Sequence, residues 1–409
     1  MTTKINNEHK KVYVPNLRFP EFLGEWSVTT LQKDCIVNPT NEKIADKFVY
    51  VDLESVKQGQ LYKYQILTKD NAPSRAQRVL HTDDILFQCV RPYQMNNYMV
   101  KGTMSDIQWV ASTGYAQIRT QTDYPAFLYC VLNTSKYNKA VMVRCTGSSY
   151  PAINSEDLSK IPFYKCGIAE QKKIADFLSL LDERIATQNK IIDKLQSLIK
   201  GMEDNLLDNP LWKKTYLRSF MQFFPTNSLS WEQLSYKEGA IRNLHYGLIH
   251  GFQTRGINSA SLPMIKNEAI PKQYTLCQVG DIAFADASED TGEIAKSVEF
   301  VDTIEGNTIC GLHTIHGRDI KNRTVVGFKG FAFNSRYFHN QIKRLAQGTK
   351  VFSITANNLS SCYVYLPDLE KQKAIVNLLK TYEAKLLVSK RLLEHYEKQK
   401  QYLLRQMFI

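Results

Sequence analysis

Long apolar runs and paired cysteines are both missing from this 409-residue sequence. No stretch of about 18 apolar residues occurs, which excludes a transmembrane helix. The polar N-terminus, MTTKINNEHKKVYVP, has no apolar signal core, so we expect a cytoplasmic protein. The eight cysteines form no CxxC pair, so they are expected to be reduced and mostly buried, with no bound metal.

Motifs of the common nucleotide-dependent enzymes are also absent. The sequence has no Walker A loop and no glycine-rich loop for a methyl donor. Asn209-Pro210-Leu211-Trp212 resembles the tetrapeptide with which adenine methyltransferases hold a flipped base, but it follows a predicted helix rather than a strand. His313 and His316 are three residues apart, so on one strand they would face opposite sides and would not share a metal. We therefore expect a chain without catalytic residues or a cofactor of its own.

The charge of the sequence is moderately basic. Lysine and arginine number 52 against 40 aspartates and glutamates, a formal net charge of +12. The excess is shared between two separated blocks rather than concentrated in a basic tail. A folded basic protein suggests a polyanion as partner, although charge that merely keeps the protein in solution would have the same appearance.

The sequence contains an internal repeat. Residues 147–207 align with residues 348–408 without a gap, at a constant offset of 201. Matched pairs include Gly147 with Gly348, Ile153 with Ile354, and Gln171-Lys172 with Gln372-Lys373. Upstream the similarity is weaker, but Asp84-Ile85 resembles Asp281-Ile282. The repeat predicts two units, each with a mixed segment of roughly 140–160 residues followed by a helix of roughly 40.

Each predicted helix carries a heptad seam, which indicates a coiled coil rather than a surface helix. In the first helix the seam is Ile174, Leu178, Leu181, Ile185, Gln188, Ile192, Leu195, Ile199, Met202 and Leu206. In the second it is Ile375, Leu379, Tyr382, Leu386, Ser389, Leu393, Tyr396, Lys400, Leu403 and Met407. Gln188 and Ser389 are matched polar positions, which either fix the register or mark a gap between the helices. Lys400 interrupts the second seam, so that stretch is either frayed or occupied by a partner.

The fold class predicted from these patterns is mixed α/β. Two globular domains in a pseudo-two-fold arrangement would be joined by two long helices that form an antiparallel coiled coil. Predicted strands include FLYCVL at 127–132 and TVVGFKGFAF at 324–333. The predicted boundaries are 12–167 for the first domain, 168–207 for the first helix, 208–228 for a linker, 229–367 for the second domain and 368–408 for the second helix.

The doubled pattern resembles the specificity subunits of Type I restriction-modification systems. The first copy has the Glu-Gln-x-x-Ile-Ala-x-x-Leu pattern of that family at residues 170–178, followed by Leu181-Asp182. The second copy departs from it, because Lys371 replaces the glutamate and Tyr382-Glu383 replaces Leu-Asp. Arg18-Phe19-Pro20 resembles the start of the family's first domain, and Asn243-Leu244-His245-Tyr246-Gly247 resembles a segment of its second.

The resemblance implies a non-catalytic subunit with two target-recognition domains, each of which reads one half of a bipartite site in double-stranded DNA. It implies that the paired helices set the spacing and bind two modification (methyltransferase) subunits, joined by restriction subunits. S-adenosylmethionine, Mg and ATP would bind those partners, whose complex would be a deoxyribonuclease and adenine methyltransferase. The helix positions expected to pair or bind a partner are Gln171, Ile174, Leu178, Leu181, Ile185, Gln372, Ile375, Leu379 and Leu386. The alternatives are a stand-alone adenine methyltransferase and a basic coiled-coil structural or regulatory protein.

Candidate base-reading residues were selected for side chains that match base edges. Arginine and glutamine pair bidentately with guanine and adenine, although the same side chains also bind phosphates or cap loops. The candidates in the first domain are Ser74, Arg75, Gln77, Arg78, Arg91, Tyr93 and Gln94. The candidates in the second domain are Arg242, Asn243, His245, Tyr246, Gln253 and Arg255.

Overall fold

The computed structural model describes residues 13–40, 42–57, 59–102, 107–252, 255–302 and 306–409. Its contacts divide the chain into two units. The first comprises Met1–Thr187 with Leu393–Ile409, and the second comprises Gln188–Leu392. Within the described ranges, no helix combines the length and the apolar character needed to cross a membrane.

The first unit is built from short strands, four short helices and the start of a long helix. Its strands are β1 (Ser27–Thr30), β2 (Cys35–Val37), β3 (Lys47–Val51), β4 (Val56–Lys57), β5 (Gln60–Leu61), β6 (Gln65–Thr68), β7 (Ala76–Leu80), β8 (Ile85–Gln88), β9 (Tyr98–Met99), β10 (Gln108–Ser112), β11 (Tyr115–Thr120) and β12 (Pro162–Lys165). Its helices are α1 (Leu31–Asp34), α2 (Pro125–Leu132), α3 (Ser135–Met142) and α4 (Ser155–Ser159), followed by α5 (Ile168–Leu207).

The second unit repeats this order with small changes. Its strands are β13 (Lys213–Tyr216), β14 (Met221–Phe224), β15 (Leu234–Ser235), β16 (Ile241–Leu244), β17 (Gly256–Ile257), β18 (Met264–Ile265), β19 (Ile282–Ala285), β20 (Ala287–Ser288), β21 (Ser297–Phe300), β22 (Asn307–Cys310), β23 (Thr314–Asp319), β24 (Phe352–Ser353) and β25 (Tyr363–Leu366). Its helices are α6 (Tyr246–Gly251), α7 (Phe328–Ala332), α8 (Arg336–Leu345), α9 (Ala356–Ser361) and α10 (Leu369–Gln406).

The sheets of the two units have similar but not identical topologies. One sheet has the order β6-β3-β10-β7 in the first unit and β15-β18-β16-β22 in the second. Each contains one parallel pair, β3 with β10 and β16 with β22. The other sheet has the order β2-β11-β8-β9 in the first unit and β14-β23-β19-β21-β17 in the second. A two-stranded sheet, β1-β12 or β13-β25, leads into the long helix of each unit.

The long helices complete the hydrophobic core of both units. In the first unit the start of α5, at Ile174 and Leu178, shares a core with Leu403 and Met407 at the end of α10. In the second unit the end of α5, at Leu207, shares a core with the start of α10. Since the start of each helix packs with the end of the other, the two helices run antiparallel within both units, as the sequence predicted.

Two strand predictions are wrong. Residues 127–132 lie in α2, and residues 328–332 of the second predicted strand form α7. Pro125 occupies the first turn of α2, a position that favours helix because proline needs no hydrogen-bond acceptor there. A short run that is buried on all sides has no polar face, so its periodicity does not separate helix from strand.

The segment predicted as a linker, 208–228, contains β13 and β14. Strand β13 pairs with β25, and β14 pairs with β23, so both strands belong to the sheets of the second unit. The tetrapeptide at Asn209 lies directly after α5, where the Asn209 side chain accepts a hydrogen bond from the backbone N–H of Leu211. This is a turn that ends a helix rather than a loop that follows a strand.

Candidate nucleic-acid interface

A buried aspartate–arginine pair lies at the same position in both units. In the first unit, Arg119 donates two hydrogen bonds of 2.8 Å to the Asp84 carboxylate. In the second, Arg318 donates to Asp281 at 2.8 and 2.7 Å. Burial alone would raise the pKa of Asp281, but hydrogen bonds from Arg318 and His316 bring that pKa below its usual value. An ionised buried carboxylate needs such donors, so each arginine stabilises the buried aspartate of its own domain.

A buried glutamine on each long helix attaches that helix to its own domain. Gln171 accepts a hydrogen bond from the backbone N–H of Tyr124 and donates to Asp123 and to the Cys166 carbonyl. Gln372 accepts from the N–H of Val325 and donates to two backbone carbonyls. Both side chains are at most 2% exposed, so these two predicted helix residues anchor the helices internally and offer no surface to a partner.

The start of α5 has one further anchor, which has no counterpart at the start of α10 among the described residues. Arg18 donates two hydrogen bonds, of 2.7 and 2.8 Å, to the carboxylate of Glu170, which is 3% exposed. In the second copy Lys371 takes the place of this glutamate and pairs with Asp368 in its own turn. The departure of the second copy from the family pattern thus affects an internal contact.

The candidate loop at Arg91 is held by several internal contacts at the surface of the first unit. Arg91 and Met95 both adopt left-handed backbone angles, with φ of 53° and 52°. The buried Gln88 side chain donates to Gln94 and to the carbonyl of Val90. Arg91 lies 4.4 Å from the ring of Tyr150. These contacts fix the path of the loop backbone beside the exposed candidates Tyr93 and Gln94.

The candidates around residue 75 divide into exposed and internal side chains. Ser74, Arg75 and Gln77 are exposed, and Gln77 donates to the Ser74 carbonyl. Tyr93 in the neighbouring loop is also exposed, at 51%. Arg78 instead points into the domain, where burial lowers the pKa of its guanidinium and its Nε has no hydrogen-bond partner among the described residues. Arg78 is therefore poorly placed for DNA.

Sequence reasoning missed the cations and tyrosines that surround the Arg91 loop. Lys57 lies 4.8 Å from the ring of Tyr62, which is 70% exposed. Together with Lys63, Arg91 and Tyr150 they line a concavity of about 530 Å³. The alternation of lysine and tyrosine in LYKYQ, residues 61–65, was the signal for this surface, since aromatic rings beside cations suit nucleic acid.

Two candidates in the second unit have internal roles. The Arg242 guanidinium donates to the backbone carbonyls of Ala260 and Leu262. Asn243 is fully buried and accepts a hydrogen bond from Asn227. Neither side chain is free to meet a base edge in this conformation.

An aromatic cluster surrounds the start of α6. The His245 ring lies 4.4 Å from Trp231 and 4.8 Å from Tyr246, and Tyr246 meets the His313 ring edge-on at 5.3 Å. His245 is 3% exposed and its Nδ1 accepts a hydrogen bond from the Gly247 N–H, so it caps the helix. Burial, and then the neighbouring His313, lower its pKa. Trp231 and His313, which the sequence analysis did not select as DNA contacts, are the more exposed members.

Arg255 faces carboxylates rather than solvent. Its Nη2 lies 3.8 Å from the Glu203 carboxylate, and the Glu383 carboxyl group is also close. Burial raises the pKa of Glu203, and burial also raises the pKa of Glu383 to about 7, against the pull of Arg255. Arg255 therefore serves the second unit internally. The remaining candidate, Gln253, lies outside the described residues.

The predicted seam positions lie inside the units. Ile174, Leu178, Leu181, Ile375 and Leu379 are buried, while Ile185 and Leu386 are half-buried. The five buried residues pair the helices and fill the cores, so they are not available to a partner. Partner binding at Ile185 and Leu386 stays a prediction.

The polar seam positions also have internal partners. Gln188 donates to the backbone carbonyl of Ser389, which favours the interpretation that this polar layer fixes the register. Lys400, which interrupts the second seam, forms an ion pair with Asp182 at 2.5 Å. The charge of this lysine therefore has its partner within the first unit.

Exposed apolar residues repeat on the two helices at the offset of the sequence repeat. Ile168 is 56% exposed and corresponds to Leu369, which is 44% exposed. Phe177 is 40% exposed and corresponds to Leu378, which is 41% exposed. Matched apolar positions that remain exposed in both units are typical of a surface that binds a protein.

Known proteins are similar to this chain over most of its length. The family model for the Type I restriction modification DNA specificity domain matches residues 36–197 and 311–397. The Type I restriction enzyme MjaVIII specificity subunit of Methanocaldococcus jannaschii is 25% identical over 272 residues, which cover 62% of this chain and 63% of that protein. The putative MjaX specificity subunit of the same organism is 23% identical over 360 residues, 85% of this chain and 79% of that protein.

Solved structures show the same fold. The S subunit of a Type I restriction-modification system from M. genitalium superimposes with a TM-score of 0.58 at 14% identity, covering 97% of this chain and 99% of that chain. A chain from a type I R-M system studied for complex assembly and conformational transition gives a TM-score of 0.55 at 18% identity, covering 93% and 96%. The family match covers more than half of the sequence, and this chain therefore belongs to the family of the Type I restriction modification DNA specificity domain.

Proposed function

We propose that this chain is the DNA-reading subunit of a Type I restriction-modification complex and has no catalytic site of its own. Each unit would read one half of a bipartite site in double-stranded DNA, and the paired helices would set the spacing between the halves. The observation that carries this proposal is the repetition of one domain with its own helix anchor, Gln171 in the first unit and Gln372 in the second. Two similar readers on one chain suit a site with two half-sites.

In the first unit, the concavity beside the Arg91 loop is the proposed DNA-contact surface. Lys57 and Arg91 supply positive charge for phosphates, while Tyr62 and Tyr150 supply exposed rings. Lys63 lines the same concavity but pairs with Glu54 at 2.9 Å. Gln94, at the same loop, is the candidate for a base edge. In the second unit, the exposed members of the aromatic cluster around α6 take the corresponding part.

The double variant Arg91→Ala with Tyr150→Ala tests this surface. In complex with its modification subunits, the variant is expected to bind site-bearing DNA at least about tenfold more weakly, because it loses a phosphate contact and a ring. The control is Lys160→Ala, an exposed lysine that pairs with Glu156 away from the concavity. Unchanged affinity of the double variant, measured by fluorescence anisotropy at fixed salt, would remove this surface from the proposal.

The repeated apolar positions on the helices are the proposed binding surface for two modification subunits. Phe177 would contribute to one copy of this surface and Leu378 to the other. Phe177→Ser or Leu378→Ser is expected to reduce the number of bound modification subunits from two to one, as measured by native mass spectrometry. Val143→Ser is the matched control, since Val143 is 84% exposed and lies outside the helices. Retention of two subunits by both helix variants would contradict this assignment.

The reactions of the assembled complex belong to its partners in this proposal. S-adenosylmethionine would bind the modification subunits, ATP and Mg the restriction subunits, and assembly would occur in the cytoplasm. The rival function, a stand-alone adenine methyltransferase, requires the isolated chain to bind the methyl donor. Titration of the purified chain with S-adenosylmethionine separates the two, because saturable binding would favour the rival.

A further inference from the structure

Three side chains with metal-ligating atoms meet in the core of the second unit. The sulfurs of Cys277 and Cys310 and a ring nitrogen of His316 lie within 4.8 Å of one another. The two sulfurs are 3.6 Å apart, close to the separation of about 3.8 Å that two Zn–S bonds of about 2.3 Å subtend in a tetrahedral site. All three residues are at most 6% exposed, so the cluster is shielded from bulk solvent.

The first unit shows what this position looks like without such ligands. Val79 pairs with Val110 as Leu276 pairs with Ile309, so the next residues, Leu80 and Ala111, correspond to Cys277 and Cys310. In the neighbouring sheet, Leu86 pairs with Gln117 as Ala283 pairs with His316, so Gln117 corresponds to His316. The same scaffold therefore carries an aliphatic pair and an amide in one unit, but two thiols and an imidazole in the other.

The surroundings of the cluster suit a bound divalent metal. His316 Nε2 contacts the Asp281 carboxylate at 2.7 Å, and carboxylates beside metal-ligating histidines commonly orient the ring. Arg318 already neutralises Asp281. Two thiolates would neutralise one divalent ion, so the loaded site would hold no net charge, as a buried site requires.

We propose that Cys277, Cys310 and His316 bind one zinc ion in the core of the second unit, with Asp281 supporting the histidine. Two thiolates and an imidazole are the ligands that zinc prefers over magnesium or calcium. The two cysteines are 33 positions apart in the sequence, which explains why no paired-cysteine motif is visible. The ion would join strands β22 and β23 and the loop before β19. It would stabilise the second unit independently of DNA recognition.

Metal analysis of the full-length chain tests the proposal. The protein is purified under reducing conditions, reconstituted with Zn²⁺, dialysed against a weak chelator and analysed by plasma mass spectrometry. We expect about one zinc per chain, because the three side chains form a single site. A small non-protein ligand would complete the tetrahedral coordination. Replacement of zinc by Co²⁺ is expected to give the intense thiolate-to-cobalt absorption band in the near ultraviolet.

The choice of variants is based on the residues of the first unit. Cys310→Ala and His316→Gln introduce the residue types found at the equivalent positions, and each is expected to lose the zinc that the wild type retains. Cys362→Ala is the matched control, since Cys362 is a buried cysteine in a separate core of the same unit and should leave the zinc in place.

Three outcomes would overturn the proposal. They are a wild-type chain that takes up neither Zn²⁺ nor Co²⁺, variants that retain zinc as the wild type does, and a Cys277–Cys310 disulfide in freshly purified protein. The cobalt spectrum of the wild type decides the matter even if a variant fails to fold. The DNA-binding experiments measure affinity for DNA rather than bound zinc. The failure of one proposal would therefore not imply the failure of the other.

Discussion

The carboxylates around Arg255 make the stability of the second unit depend on pH. The pKa of Glu383 is raised from the ordinary 4.5 to about 7, mainly by burial and also by the nearby Glu203, while Arg255 opposes both. In the unfolded chain Glu383 loses its proton near pH 4.5, whereas in the folded protein it keeps the proton until about pH 7. A raised pKa of this kind contributes stability that is fully present below pH 4.5 and is lost as the pH rises through about 7.

Glu383→Gln replaces the carboxyl group with a neutral side chain of the same size. The difference between about 7 and 4.5 corresponds to at most about 3 kcal/mol, at about 1.36 kcal/mol per pH unit. The variant is therefore expected to gain stability relative to the wild type as the pH rises from 5 to 8, and the gain should level off above the folded pKa. Urea unfolding followed by circular dichroism, at intervals of half a pH unit, measures this difference directly.

Glu394→Gln is the control, because Glu394 is an exposed glutamate on the same helix. It should change the unfolding free energy little at any pH. If the difference between Glu383→Gln and the wild type does not grow between pH 5 and pH 8, the carboxyl group does not titrate in the buried environment described here. The same conclusion would follow if Glu394→Gln showed an equal pH dependence.

Three further predictions concern the spacing, the anchors and the modularity. Seven residues inserted after Gln188 and after Ser389 preserve the heptad seam and add about 10 Å of helix, so the gap in the methylated DNA site should grow by up to about three base pairs; a methylome with the original gap would contradict this. Gln372→Leu leaves three backbone groups without partners and should cost about 3 kcal/mol of unfolding free energy, unlike Gln399→Leu on the exposed face. Exchange of residues 229–365 for those of a relative should change one half of the methylated motif, and a change in both halves would refute independent readers.

The repeat and the heptad seams made the architecture predictable from the sequence. The constant offset of 201 between the copies and the two seams identified two units and two antiparallel helices, because both patterns extend over many residues. Short apolar runs carry less information, and residues 127–132 show it. Their burial on every side removed the periodicity that separates a helix from a strand.

The individual functional residues were much harder to predict. Arginine and asparagine were selected because they suit base edges, but Arg242 and Asn243 are occupied by backbone carbonyls and a side-chain amide. The sequence could not distinguish such internal partners from DNA, since each partner lies on another strand or loop. The same limit hid the Cys277, Cys310 and His316 cluster, whose members come together only through sheet register.

The arrangement of the long helices has a consequence for the order in which the chain can fold during synthesis. The core of the first unit includes Leu403 and Met407, and the ring of Phe408 lies 5.5 Å from that of Phe127. The second unit, by contrast, is one continuous stretch, Gln188–Leu392. The ribosome therefore makes most of the first unit early but supplies the core residues of α10 only after the second unit. The domain that is translated first is the one that is completed last, and a chain that loses its final turn of helix would leave that core open.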